Sequence, residues 1–157
     1  MPDDEILIEL DASGQEARLL AEVGNVESLL NLFHKGQKVH GVMAAAIAGL
    51  DYETFMAYYK KDGPLGKFAG PEGFYYCGKF INLSMQYRVG AKTQRIQART
   101  DYNLRKSAFE IMQWRDIYHH AHPGVQVYWK AAEDRTDCMY GEADEYRQLN
   151  VQYMTTL

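Results

Sequence analysis

Apolar residues recur with helical spacing through most of the chain. The clearest stripe is Val39, Val42, Met43, Ala46, Ile47 and Leu50, at i, i+3, i+4, i+7, i+8 and i+11. It predicts an amphipathic helix with His40 off the apolar side. Upstream, the β-branched run Ile6, Leu7, Ile8, Leu10 predicts a buried strand from Glu5 to Leu10, ending at Asp11. Ser13 with Glu16 three residues on has the capping-box pattern, so a helix is expected from there to Val23, stopped by Gly24-Asn25. Val26, Leu29, Leu30 and Phe33 mark a second short helix, closed by Lys35-Gly36. Asp51 starts another over Tyr52 to Lys61. The glycine- and proline-rich run from Asp62 to Gly73 reads as a loop. Helices are then expected over Phe74 to Val89, with a break at Gly90, over Ala91 to Arg99, over Leu104 to His120, and over Val125 to Thr136. Leu149, Val151 and Tyr153 alternate with polar residues, which predicts a strand or hairpin arm in the tail from Tyr146 to Leu157. The pattern is α+β and mainly helical.

Length and composition narrow the class. At 157 residues, with 46% hydrophobic, 13% aromatic and 24% charged residues, the chain has globular composition, which excludes a disordered or low-complexity chain. The longest apolar stretch, Val42 to Leu50, is far short of the ~20 residues that span a bilayer. The opening Met1-Pro2-Asp3-Asp4-Glu5 is not a basic-then-apolar leader, and Cys77 and Cys138 are too few for a disulfide framework. A soluble, cytoplasmic protein with no membrane partner is the expectation.

The net charge of −4 is unevenly spread. Residues 1–36 carry two bases and eight acids, and residues 107–157 four and eight, whereas residues 79–106 carry seven bases against Asp101 alone. A basic segment inside an acidic chain suits a polyanion, and it equally describes a solvated helix face. Within it Arg88, Lys92, Arg95 and Arg99 fall at i, i+4, i+7 and i+11, one helix face if Gly90 keeps the register. Such a row suits a phosphate backbone.

Three further constellations bear on chemistry. Asp11, at the end of the expected strand, is placed to ligate a hard cation such as Mg²⁺, or simply to cap a turn. Lys79 and Tyr87 lie eight residues apart on one expected helix, roughly 12 Å along its axis. A lysine can meet a triphosphate and an aromatic can stack on a base, although both residue types are also ordinary on helices. His119, His120 and His122 fit no zinc spacing, and they sit at a helix end, where the dipole favours cations. No glycine-rich phosphate loop of either common form is present.

Taken in order, four segments resemble the family-A DNA polymerases in their bacteriophage-type wording. Asp11-Ala-Ser-Gly-Gln-Glu-Ala-Arg18 resembles the first polymerase motif, and His34-Lys-Gly-Gln-Lys-Val-His40 the basic turn after it. Gly78 to Arg88, with lysine and then tyrosine eight positions on, resembles the fingers-helix motif, and Tyr118 to Trp129, with His-Pro-Gly-Val, a stretch downstream. The resemblance spans roughly residues 5–130. It implies fingers helices plus a short palm strand: a palm edge over 1–50, fingers over 51–136, and a return segment toward the palm over 137–157.

The resemblance also implies roles. Asp11 matches the catalytic aspartate that binds two magnesium ions, and the carbonyl of Ala12 a further ligand. Glu16 matches the residue that crowds the sugar 2′ position, and His40 and Lys79 match contacts to the incoming dNTP. Leu83 takes the place of an aromatic beside the sugar, and Tyr87 matches the tyrosine that meets the templating base. The implied partners are a DNA primer-template and a second polypeptide carrying the remaining palm and thumb, in the cytoplasm of a bacterial or phage-infected cell. Phosphoryl transfer fits such a set, since it relies on metals, cations and positioning.

The sequence departs from the family's pattern in places. Tyr75 stands where an arginine is usual four residues before the lysine, Arg88 where glycine commonly follows the tyrosine, and Gly14 where bacterial members have glutamine. The second carboxylate motif, His-Asp-Glu, does not occur. The resemblance therefore implies a palm-edge and fingers fragment of a DNA-directed DNA polymerase, inactive alone. The alternative is a non-catalytic DNA- or polymerase-binding protein that keeps the fingers fold. A single-subunit RNA polymerase shares the lysine-to-tyrosine spacing, and Glu16 as a sugar gate argues against it.

Overall fold

A computed structural model describes residues 14–61, 63, 65, 66, 69 and 73–141, with side chains described as far as Arg135. Eight helices make up the regular structure of these residues, and no strand occurs among them. The expected strand over 5–10 and the tail arm over 146–157 lie outside them.

Helix α1 (Gln15–Val23) starts at Gly14, whose φ of +65° belongs to the left-handed region that glycine tolerates. Gly14 thus takes the N-cap position expected of Ser13, which lies outside the described residues. Ala17, Leu20 and Ala21 bury one face of α1, and Gly24 ends it. Helix α2 (Glu27–His34) ends at Lys35 as the sequence predicts. Helix α3 (Val39–Ala48) stops at Gly49, which is left-handed at φ +69°. In α4 (Tyr52–Tyr59) the Asp51 carboxylate accepts the Thr54 amide proton at 2.9 Å, the expected cap.

Helix α5 (Phe74–Gln86) ends three residues earlier than its pattern suggests. Val89 turns back so that its amide donates to the Ser84 carbonyl, and Arg88 takes a φ of +52°. Helix α6 (Ala91–Thr100) then starts afresh from Gly90. Helix α7 (Ala108–Ala121) begins later than Leu104, because Ser107 and Glu110 form a reciprocal capping box there. Helix α8 (Pro123–Gly141) runs past the expected Thr136.

The centre of the molecule is the crossing of α3 and α5, the most extensive helix pair. It is close because Gly78 of α5 has no Cβ: one built there would meet the Ala44 amide nitrogen at 2.6 Å and the His40 carbonyl oxygen at 2.7 Å. Asn82, one turn on, is buried and donates to the carbonyls of Val39 at 3.2 Å and Gly78 at 3.0 Å, pinning the two helices. Around the crossing, Leu29, Met43, Phe80, Ile81, Met85, Leu104, Ile111 and Tyr118 fill the main core. Burying each large apolar side chain contributes roughly 1.5–3 kcal/mol. A second core of Ala44, Ala45, Phe55 and Tyr59 lies on the α4 side of α3.

A buried polar chain joins α5, α6 and α7. The Ser84 hydroxyl donates to the Phe80 carbonyl at 2.8 Å and accepts from Gln94 Nε2 at 2.6 Å. Arg115 Nη1 donates to Gln94 Oε1 at 2.7 Å and to the Val89 carbonyl at 2.8 Å. The polar Gln94 sits fully inside because both ends of its amide are bonded.

Candidate functional site

On α5 the residues Tyr75, Lys79, Leu83 and Gln86 follow at intervals of four, four and three, so they share one face. That face looks toward α1 and the start of α3. A cavity of about 310 Å³ opens between the three helices, lined among others by Glu16, Arg18, Lys38, His40, Tyr75 and Leu83. The fold thus brings Glu16, His40 and Leu83, three of the expected nucleotide contacts, to one recess. Lys79 is exposed and outside the lining, yet its charge is felt at His40. Asp11 and Ala12 lie outside the described residues.

His40 is held by the first turn of α3, beneath the close approach of Gly78. Burial pushes its pKa down to about 4, the Lys79 ammonium adds to the fall, and Glu16 opposes it. The imidazole is therefore neutral at neutral pH, with one ring nitrogen a donor and the other an acceptor. Its Nδ1 is buried without a hydrogen-bond partner. So are both polar atoms of the Gln86 side chain, on the same cavity wall.

Tyr75 is built into an aromatic cluster. Its ring lies 4.7 Å from that of Tyr59 and edge-on to His40 at 6.3 Å. Burial and the Tyr59 hydroxyl push its phenol up, so it remains a neutral hydrogen-bonding group. Lys38, the residue before α3, sets its ammonium 4.7 Å over the Tyr59 ring, while its backbone amide donates to the Tyr52 hydroxyl at 3.0 Å. Arg18 lies 4.4 Å over the Phe33 ring. Arg18 and Lys38 thus line the recess with Lys79 beside it, against one carboxylate among the described lining residues, Glu16. Lys38, Arg18 and Gln86 escaped sequence reasoning. Lys38 falls only two residues before His40, but nothing in the spacing shows that Tyr59 would hold it there.

No family model matches the chain, and no solved structure matches it.

Other expected site residues fall elsewhere. Tyr87 is the C-cap of α5 and 66% exposed, outside the cavity lining. The basic row does not form one continuous face. Gly90 restarts the helix, and Arg88 instead pairs with Glu133 of α8 at 3.0 Å and lies over the Trp129 ring at 5.9 Å. Arg88 also edges a second, wider recess of about 780 Å³ with Arg115, His119 and Trp129. Lys92, Arg95 and Arg99 remain together on the exposed side of α6.

Among the described residues no three His, Cys, Asp or Glu side chains converge to hold a metal ion. Nor are His119 and His122 the dipole-stabilised cations expected at a helix end. His122 is buried, its Nδ1 lies 3.0 Å from the Ser28 hydroxyl, and burial lowers its pKa to about 4. His119 is likewise lowered, first by burial and then by Arg115. Among the described residues, no helix is long and apolar enough to cross a membrane.

Proposed function

We propose that the cavity between α1, α3 and α5 binds a 2′-deoxynucleoside triphosphate, and that the chain is the palm-edge and fingers part of a DNA-directed DNA polymerase of family A. The observation that carries this reading is that Glu16, His40 and Leu83, distant in sequence, border one recess with the Lys79 charge beside it. Its volume of about 310 Å³ lies at the small end of ligand sites, which run from ~300 to ~1,000 Å³.

Each group has a task matched to its chemistry. Lys79, Lys38 and Arg18 attract the phosphates as point charges or forks. Neutral His40 offers a ring N–H to a phosphate oxygen without adding charge. Leu83 gives the sugar an apolar wall, and Glu16 crowds its 2′ position against a hydroxyl. Tyr75 holds the wall beside His40 with a neutral phenol. The proposal assigns magnesium to Asp11 and the Ala12 carbonyl, outside the described residues, where it would neutralise phosphate charge. DNA primer-template is bound in part by Lys92, Arg95 and Arg99. A second polypeptide with the remaining palm and thumb completes the enzyme, in the cytoplasm of a bacterial or phage-infected cell.

Tyr75 in place of an arginine favours a second reading, a non-catalytic DNA-binding protein that keeps the fingers helices. Calorimetric titration with dTTP, UTP and inorganic triphosphate separates the two. The expected result is dTTP binding that weakens about fivefold in Lys79→Met, as loss of one near charge in water implies. In Glu16→Ala the preference for dTTP over UTP narrows. Absence of dTTP binding, or binding indifferent to Lys79→Met, overturns the nucleotide site.

A further inference from the structure

The outer side of α6 and the start of α7 carry exposed cations and exposed apolar side chains. Lys92, Arg95 and Arg99 are all exposed and make no ion pair among the described residues. Their intervals of three and four residues rise about 4.5 and 6 Å along the helix. Helix α6 has no acidic residue from Ala91 to Thr100. Across the junction, Phe109 is 70% exposed and Met112 48% exposed, three residues apart on α7, and Ile96 of α6 is 54% exposed. Between the helices a shallow gap of about 220 Å³ is lined by Ala91, Lys92, Arg95, Ala108, Ile111 and Met112. The nearest carboxylate on α7, Glu110, is engaged by Ser107 and Lys106.

We propose that this surface is a stacking platform for single-stranded nucleic acid, with Phe109 carrying a base and Lys92, Arg95 and Arg99 following the phosphates. The inference rests on the DNA contact assigned above to those three cations and names the form of DNA they hold. A duplex covers both faces of its bases, so an exposed ring on the helix that follows a row of cations has a stacking partner only in an unpaired strand. Charge complementarity fixes the sign of the partner. An acidic peptide would share that sign, but it needs a groove for its apolar side chains. The gap here is smaller than the ~300 Å³ at which ligand pockets begin.

Stacking and phosphate contact leave different signatures. Fluorescence anisotropy with labelled oligo(dT), over a range of salt, measures both. The 157-residue protein is expected to bind oligo(dT) more tightly than a duplex of equal length. Phe109→Ala weakens oligo(dT) binding roughly 5- to 150-fold, and Phe109→Leu, which keeps an apolar side chain but no ring, does nearly the same. Neither changes the slope of log affinity against log salt. Arg95→Ala with Arg99→Ala flattens that slope by about 1.4, at ~0.7 per phosphate contact on a single strand. Phe109 is on the surface, so these variants keep the fold, and their melting curves check it. If both Phe109 variants bind as the parent does while the arginine variant flattens the slope, the DNA contact stands and the platform falls. Equal affinity for duplex, or displacement of oligo(dT) by polyglutamate as effective as by unlabelled oligo(dT), also overturns the platform. Absence of any salt-dependent binding removes both ideas.

Discussion

Gly78 rests on the backbone of Ala44, and the separation leaves no room for a methyl group between them. A β-carbon there would sit 2.6 Å from the Ala44 amide nitrogen, and the obstruction is main chain, which cannot rotate away. Gly78→Ala is expected to destabilise the protein by about 1–3 kcal/mol, even though alanine is the better helix former by about 1 kcal/mol. Urea unfolding of the two proteins measures it. Equal midpoints would mean that α3 and α5 do not meet this closely.

Lys38 offers a graded test of the cavity. Its ammonium is held over Tyr59, within the same wall as Tyr75 and His40. Lys38→Met keeps the stem and removes the charge, so triphosphate affinity should fall about fivefold, the worth of one charge near 4 Å in water. Lys38→Arg should restore most of it. A nucleoside without phosphates should not distinguish the three proteins, and calorimetry with thymidine as the control ligand checks this.

Acid should loosen the fold in a defined window. His40 and His122 have pKa values near 4 in the folded chain against 6.5 unperturbed. Between those values the unfolded chain takes up protons that the folded chain refuses. The stability from these neutral histidines is complete above pH 6.5 and is lost as pH falls toward 4. Each contributes at most about 1.4 kcal/mol per pH unit. In His122→Gln the slope of stability against pH over that interval should be shallower than in the parent. Thermal melts at half-unit steps of pH decide it, and parallel curves would refute the assignment.

Primer extension should fail. On the proposed polymerase reading these 157 residues, which contain no His-Asp-Glu, would offer Asp11 alone of the two carboxylate motifs needed to hold paired magnesium ions. Highly purified protein with magnesium, primer-template and all four dNTPs is expected to leave the primer unextended while still binding dTTP. A ladder of extended products would contradict the expectation.

Helix existence was legible where punctuation and periodicity agreed. Asp51 caps the helix its position announces and Lys35 ends its own, whereas the apolar stripe reaching Leu50 hid the stop at Gly49. Boundaries slipped where a second local signal competed. The Ser107–Glu110 box is visible in the sequence and outweighs Leu104, whose amide instead bonds the Ala98 carbonyl. Arg88 left the basic row because the chain turns through a positive φ before Gly90, something no spacing of cations reveals. Of the α5 wall the sequence offered Leu83, through the family resemblance, while Lys79 stands outside the lining and Tyr87, read with it, lies at the helix end. The rest of the cavity needs α1 and α3 laid across α5, and that depends on Gly78 finding backbone with no side chain in between.

The run from Ser84 through Gln94 to Arg115 has a mechanical meaning. Its bonds are 2.6 to 2.7 Å long between the side chains, and Gln94 is sealed from water, so breaking any of them strands a polar group in the interior. Gln94 is thus a joint that touches both neighbours of α6: without its amide, Ser84 on α5 and Arg115 on α7 would each lose a partner at once.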